Sequence, residues 1–182
     1  MKMKTGLPCP AMLLLLISSQ PLIAQRLGSG DVEPDIFYVP TPYVVVEAML
    51  EAADIEPTDV VYDLGSGDGR IVISAARDYG ATGIGVEIDP KYIDMARLNA
   101  AANNVTDKVT FIQADLFEIE FTDATVITLY LSDELNLRLL PKLLDDLKPG
   151  TRIVSHEFAL GDWEPEQSLN INGHRVHYWV VP

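Results

Sequence analysis

From residue 41 onward, apolar positions alternate between short unbroken runs and faces at helical spacing. Val45, Val46, Met49, Leu50 and Ala53 share one helical face behind Thr41-Pro42, read as N-cap and first helical residue. Residues 60–64 form a short apolar run, and 68–79 read as a helix. A strand over 82–88 follows, and Asp89-Pro90 caps a helix running to about Asn103. Strands are predicted over 109–113 and, longer, over 124–131. Asp133 opens a leucine-rich helix that carries Pro141 and stops at Pro149-Gly150, and 152–156 is again a strand. This alternation predicts a doubly wound, mostly parallel α/β sheet of Rossmann-like type with helices on both faces. The tail departs from it, because residues 169–171 and 176–181 flank Asn172-Gly173, a strong signal for an antiparallel C-terminal hairpin.

The stretch most telling for chemistry is Asp63-Leu64-Gly65-Ser66-Gly67-Asp68-Gly69-Arg70, directly after one strand and before a helix. Glycines there let the backbone turn sharply and approach a ligand closely. The pattern is not that of a dinucleotide site, since Arg70 stands where a third packing glycine would be. Asp68 puts a carboxylate where a pyrophosphate would otherwise bind, which suits a phosphate-free ligand with a positive centre. Twenty residues beyond Gly67, Glu87 ends the second strand, placed to accept from ribose hydroxyls; Asp115 follows the third, near an adenine edge. Each acid alone could be a helix cap. Together, in this order, they read as one site.

These residues resemble the class I S-adenosylmethionine-dependent methyltransferases from about Val39 to the C-terminus. The resemblance implies S-adenosyl-L-methionine as cofactor, held by Asp63, Gly65, Ser66, Gly67, Glu87 and Asp115. A narrower similarity runs through Tyr38-Val39-Pro40-Thr41-Pro42, Thr128-Leu129-Tyr130-Leu131, residues 147–156 and Gly161-Asp162-Trp163. It is to the mitochondrial protein-lysine methyltransferases of ATP synthase subunit c and the adenine nucleotide translocase, with their bacterial relatives. That likeness adds Tyr38 and Thr41 to the cofactor side and implies a lysine-bearing protein as acceptor, a membrane-associated one among the candidates. The segment 130–136 is also similar to histone methyltransferases of the Dot1 type.

An acceptor docks beside the cofactor at the carboxyl end of the fourth strand. Tyr130, Glu134 and Asn136 are therefore the candidate catalytic residues, with Ser132 and Asp133 beside them. Asp133 reads equally as a cap. His156 and His174 read either as general bases or as satisfied structural residues. No metal-ligand set is read.

The first 24 residues differ from the rest. Lys2 and Lys4, the apolar run 11–17, and Ala24 after a polar break have the layout of a secretory signal peptide, with an uncleaved anchor as the alternative. Export or membrane attachment is the expectation, cytoplasmic residence the alternative. Residues 25–36 read as a linker and 37–182 as the methyltransferase domain. The only cysteine, Cys9, lies within the leader, so the mature chain has no disulfide or thiolate zinc site. With 13 basic and 27 acidic residues, the chain has a formal charge of -14 and no dense basic patch. That disfavours nucleic acid and favours a cationic partner. A small-molecule methyltransferase and a non-catalytic cofactor-binding module are the alternative functions.

Overall fold

In the computed structural model, residues 38–182 are described; the leader and the linker lie outside the described residues. Val60–Leu64 (β1) is an interior strand, third from one edge, of a sheet of seven strands. Thr82–Glu87 (β2) and Val109–Gln113 (β3) extend it on one side. Val126–Leu129 (β4) and Arg152–His156 (β5) extend it on the other. All of these pairings are parallel. Gln167–Ile171 (β6) and His174–Val180 (β7) form the hairpin, and β7 lies antiparallel against β5, giving the order β3-β2-β1-β4-β5-β7-β6. Asn172 and Gly173 both hold positive φ, 54° and 95°, as a two-residue hairpin turn of the type their sequence favours requires.

Because both faces are covered, the strands read as unbroken apolar runs whose neighbours point to opposite sides. Val61, Val126 and Val154 pack in the core layer that also holds Val45, Met49, Ile71 and Ile93 from Tyr43–Ala52 (α1), Arg70–Ser74 (α2) and Pro90–Ala102 (α3). Tyr62, Ile127 and Ile153 pack in the other, against Leu135, Leu139 and Leu143 of Asp133–Asp146 (α4) and against Trp179. Spacing of four along α4 turns that leucine row inward and leaves Pro141 on the exposed side, where the helix continues past it.

Several boundaries differ from the sequence expectation. Thr41 does not cap α1: Pro42 occupies the cap position, and no side chain caps it. The helix expected from Asp68 begins at Arg70, because Gly67 and Gly69 hold φ of 51° and 79°, outside helical space. It continues as a π-helical turn, Ala75–Tyr79, ended by Gly80. β4 is shorter than its apolar run, and Ser132, not Asp133, caps α4 by accepting from the Leu135 N–H. Among the described residues no helix is long and apolar enough to cross a membrane.

Candidate active site

Parallel strands deliver their carboxyl ends to one edge, and the loops leaving β1, β2, β3 and β4 surround a cavity of about 420 Å³ there. Its wall includes Tyr38, Thr41, Asp63, Gly65, Ser66, Glu87, Asp115 and Tyr130, eight of the residues singled out in the sequence. The turn after β1 is tied down by the Gly65 and Ser66 N–H groups, which both donate to the Val86 carbonyl at 2.9 Å. A β-carbon on Gly67 would lie 2.3 Å from the Tyr38 ring, so close packing with Tyr38 demands glycine at this position. Gly67 is not itself in the cavity wall; its N–H donates to Glu87 Oε2 at 2.9 Å. Glu87 Oε1 accepts from Ile88 and Asp89 at 2.8 and 2.9 Å. A carboxylate has about four acceptor positions. Three therefore hold the loops, and Oε2 keeps capacity for one ligand hydroxyl where the sequence suggested two.

Asp63 is fully buried and accepts from the Thr128 hydroxyl at 2.8 Å. Burial, opposed by that hydrogen bond and reinforced by the charges of Glu87 and Asp68, pushes its carboxyl up to about 7. Asp68 is not the isolated repelling charge expected from the sequence. Arg70 donates to it from Nε at 2.9 Å and Nη2 at 2.7 Å, and reaches the Thr41 carbonyl from Nη1 at 2.8 Å. Burial works against ionisation of Asp68, but the Arg70 contacts prevail and hold its carboxyl below the usual range. Burial, and then the nearby Asp68 charge, push the Tyr38 hydroxyl up to about 12, so Tyr38 is a neutral donor. Asp115, exposed at the rim, accepts from the Phe117 N–H at 2.9 Å.

The acceptor side is less fully assembled than the sequence suggested. Tyr130 lines the cavity, its ring centroid 3.9 Å from that of His156. Burial and the Glu157 charge raise its hydroxyl pKa. Glu134 is exposed on the first turn of α4 and outside the cavity wall. Asn136, a candidate catalytic group by sequence, lies outside the cavity wall and braces the chain. It is fully buried, and its amide donates to the Phe158 and Ala159 carbonyls at 3.2 and 3.1 Å, fixing the chain after β5. His156 is also fully buried; burial, partly offset by Glu157, pushes its imidazole down to about 4, so it is neutral.

Sequence reasoning missed Tyr92 and Phe117. Tyr92, whose ring lies 4.3 Å from that of Tyr38, is in the first turn of α3, and a helix that starts at the end of β2 must begin at the cavity. Phe117, two residues past Asp115, lines the same wall and stacks with the Arg138 guanidinium.

A model of the ANTKMT methyltransferase domain matches residues 63–167, the stretch from the end of β1 to the first residue of the hairpin. The chain belongs to that methyltransferase family. A protein-lysine N-methyltransferase of Saccharolobus islandicus is 42% identical over 153 residues, 81% of this chain and 95% of that protein. The mouse adenine nucleotide translocase lysine N-methyltransferase is 33% identical over 136 residues, and the match spans only 59% of its length. A crystal structure described as an RNA methyltransferase from Salinibacter ruber, in complex with S-adenosyl-L-homocysteine, superposes with TM-score 0.78 at 53% identity. It covers 79% of this chain and 94% of that one.

The residues of this methyltransferase fit S-adenosyl-L-methionine. The cavity is large enough for a ligand of that size, and Ser66 in its wall has a buried hydroxyl that no protein group partners. Glu87 and Asp115 would take the ribose and adenine sides, and Tyr38 would lie over the glycine turn. Ionised carboxylates close by suit the ligand's cationic centre and its lack of phosphate.

Proposed function

We propose that this S-adenosylmethionine-dependent methyltransferase methylates the ε-amine of a lysine in a protein. The charge of the cleft carries this reading. Besides Asp63, whose carboxyl is pushed up to about 7, four carboxylates line it (Asp68, Glu87, Asp89 and Asp115) against one arginine, Arg70, already paired with Asp68. A nucleic-acid backbone would meet uncompensated negative charge there, whereas a cationic side chain is drawn in. The formal charge of -14 acts in the same sense at longer range. The names of the Saccharolobus and mouse relatives support the reading, and that of the Salinibacter relative supplies the rival acceptor.

When bound, the cofactor supplies a methyl carbon already activated by its sulfonium sulfur. The chain must then hold the acceptor nitrogen in line, about 3 Å from that carbon. Lysine, with an unperturbed pKa near 10.4, must also lose a proton before it can attack. Tyr130, Leu131, Leu135 and Phe117 make the wall beside β4 aromatic and apolar, so an amine entering there is desolvated and its pKa falls. Asp133 and Glu134, exposed on the adjoining turn of α4, attract the ammonium form before it enters.

The test is transfer of a labelled methyl group into host extract, with parallel protease and ribonuclease digestion before mass spectrometry. Label on protein lysine is expected; label confined to RNA or small molecules overturns the reading. Tyr130→Ala should lose turnover while binding cofactor normally. We further propose that the acceptor protein is membrane-associated and that residues 1–24 direct the chain to that compartment. Mature protein from its host should then start near Gln25, or carry the whole segment in the membrane fraction. Intact protein confined to the cytosol would refute this.

A further inference from the structure

The end of β5 and the start of β7 bring two imidazoles and a carboxylate together beside the cleft. His156 Nε2 is 3.1 Å from His174 Nδ1, which is 3.1 Å from Glu157 Oε1. His156 Nε2 and Glu157 Oε1 are 3.7 Å apart. Hydrogen bonding does not satisfy this trio. In either protonation state His174 Nδ1 offers one hydrogen or one lone pair, yet two groups face it. If it donates to the carboxylate, His156 Nε2 must find a partner elsewhere; if it accepts from Nε2, the carboxylate oxygen has no donor from it.

The atoms turned away from the trio are held separately. His156 Nδ1 lies 3.2 Å from Thr41 Oγ1, and Glu157 Oε2 accepts from Arg175 Nε at 3.4 Å. Partners of this kind on the outer atoms orient ligands around a metal ion and leave the inner lone pairs converging. Donor atoms bound at about 2.0–2.1 Å to a tetrahedral ion sit about 3.3–3.4 Å from one another. The separations of 3.1, 3.1 and 3.7 Å bracket that value. Glu157 holds φ of 66°, a left-handed conformation that non-glycine residues adopt only at a cost in backbone strain. That twist turns its carboxylate toward both rings. His156 is fully buried, while the Glu157 and His174 side chains are 23% and 38% exposed, which leaves a path for an ion and its remaining water ligands.

We propose that His156 Nε2, His174 Nδ1 and Glu157 Oε1 form a three-ligand site for a divalent transition-metal ion, zinc being the best match to two imidazoles and one carboxylate. An ion there would lock the His156 ring against Tyr130 and fix Thr41, both in the cleft wall. It would act by position rather than on substrate. The inference is independent of which acceptor is methylated.

Untagged full-length protein, stripped with chelator and dialysed, is titrated with Co²⁺ while visible d–d absorption is recorded, and with Zn²⁺ against a chromogenic competitor. One equivalent of each metal should bind. Glu157→Gln and His174→Gln, both at part-exposed positions, should each weaken binding at least tenfold, and Thr41→Val by about tenfold to a hundredfold. Circular dichroism on each variant confirms that the fold is retained. Absence of saturable one-equivalent binding, or unchanged affinity in the Glu157 and His174 variants, overturns the proposal.

Discussion

Replacing Glu87 by alanine removes the acceptor for the Gly67, Ile88 and Asp89 N–H groups at once, together with the capacity left on Oε2. A hydrogen bond to a charged group contributes about 1.5–3 kcal/mol. Losing one to the ligand should weaken S-adenosylhomocysteine binding about tenfold to a hundredfold. The three N–H groups are only part-buried, so water recovers most of their bonding, and the cost to folding should total about 1–3 kcal/mol. For a chain of this size that lowers Tm by about 3–10 °C. Glu87→Gln separates the two effects. Its amide oxygen can still accept from Ile88 and Asp89, but its NH2 then faces the Gly67 N–H, donor against donor. Gln keeps two of the three loop bonds and should therefore recover only part of the Tm lost in Ala, while its affinity stays below wild type because its NH2 cannot accept a ligand hydroxyl's hydrogen. Calorimetric titration and thermal melts on both variants provide the numbers. Unchanged affinity in Glu87→Ala, with a lowered Tm, would refute the ligand contact and leave Glu87 only a loop brace.

Gly67→Ala brings a β-carbon against the Tyr38 ring in a positive-φ position, so cofactor affinity should fall at least tenfold; the same substitution should cost less in a Tyr38→Ala background, measured against Tyr38→Ala alone, and an equal cost in both backgrounds would show that backbone strain dominates. Arg152 pairs with buried Asp59 and donates to the Ala53 and Asp54 carbonyls at the sheet edge opposite the cleft. Arg152→Ala should cost about 3–5 kcal/mol in denaturant melts while leaving cofactor affinity intact, and a loss below about 1 kcal/mol would contradict this account. Asp63, raised from 3.8 to about 7 in the fold, favours its neutral form there. Its contribution is present below about pH 4 and lost as pH rises through 7, about 2–4 kcal/mol in all, so Asp63→Asn should flatten stability over that window. An identical pH slope in the variant would contradict the shift.

What the sequence determined by itself is what depends on neighbours along the chain. Apolar runs marked the strands, the leucine-rich stretch after Asp133 marked α4, and Asn172-Gly173 marked the hairpin because few other pairs tolerate two positive φ angles. The glycine turn was legible for the same reason, and so was its link to Glu87, since the β2 carboxyl end must lie beside the turn after β1 in a parallel pair.

Tertiary structure decided what depends on groups remote in sequence. Thr41 looked like a cap, but its hydroxyl meets His156, 115 residues away, because β5 ends where the chain enters α1. Asp68 looked like a bare charge until the backbone bend at Gly69 folded Arg70 back onto it. Asn136 looked catalytic from its position near the end of β4, but one helical turn carries it beneath the surface, where its amide NH2 donates to the carbonyls of 158 and 159. His156, Glu157 and His174 gave no metal spacing along the chain. The antiparallel pairing of β5 with β7 sets His156 opposite Val176, which brings His174, two residues earlier on β7, within reach of its ring, and such a contact needs no regular separation in sequence.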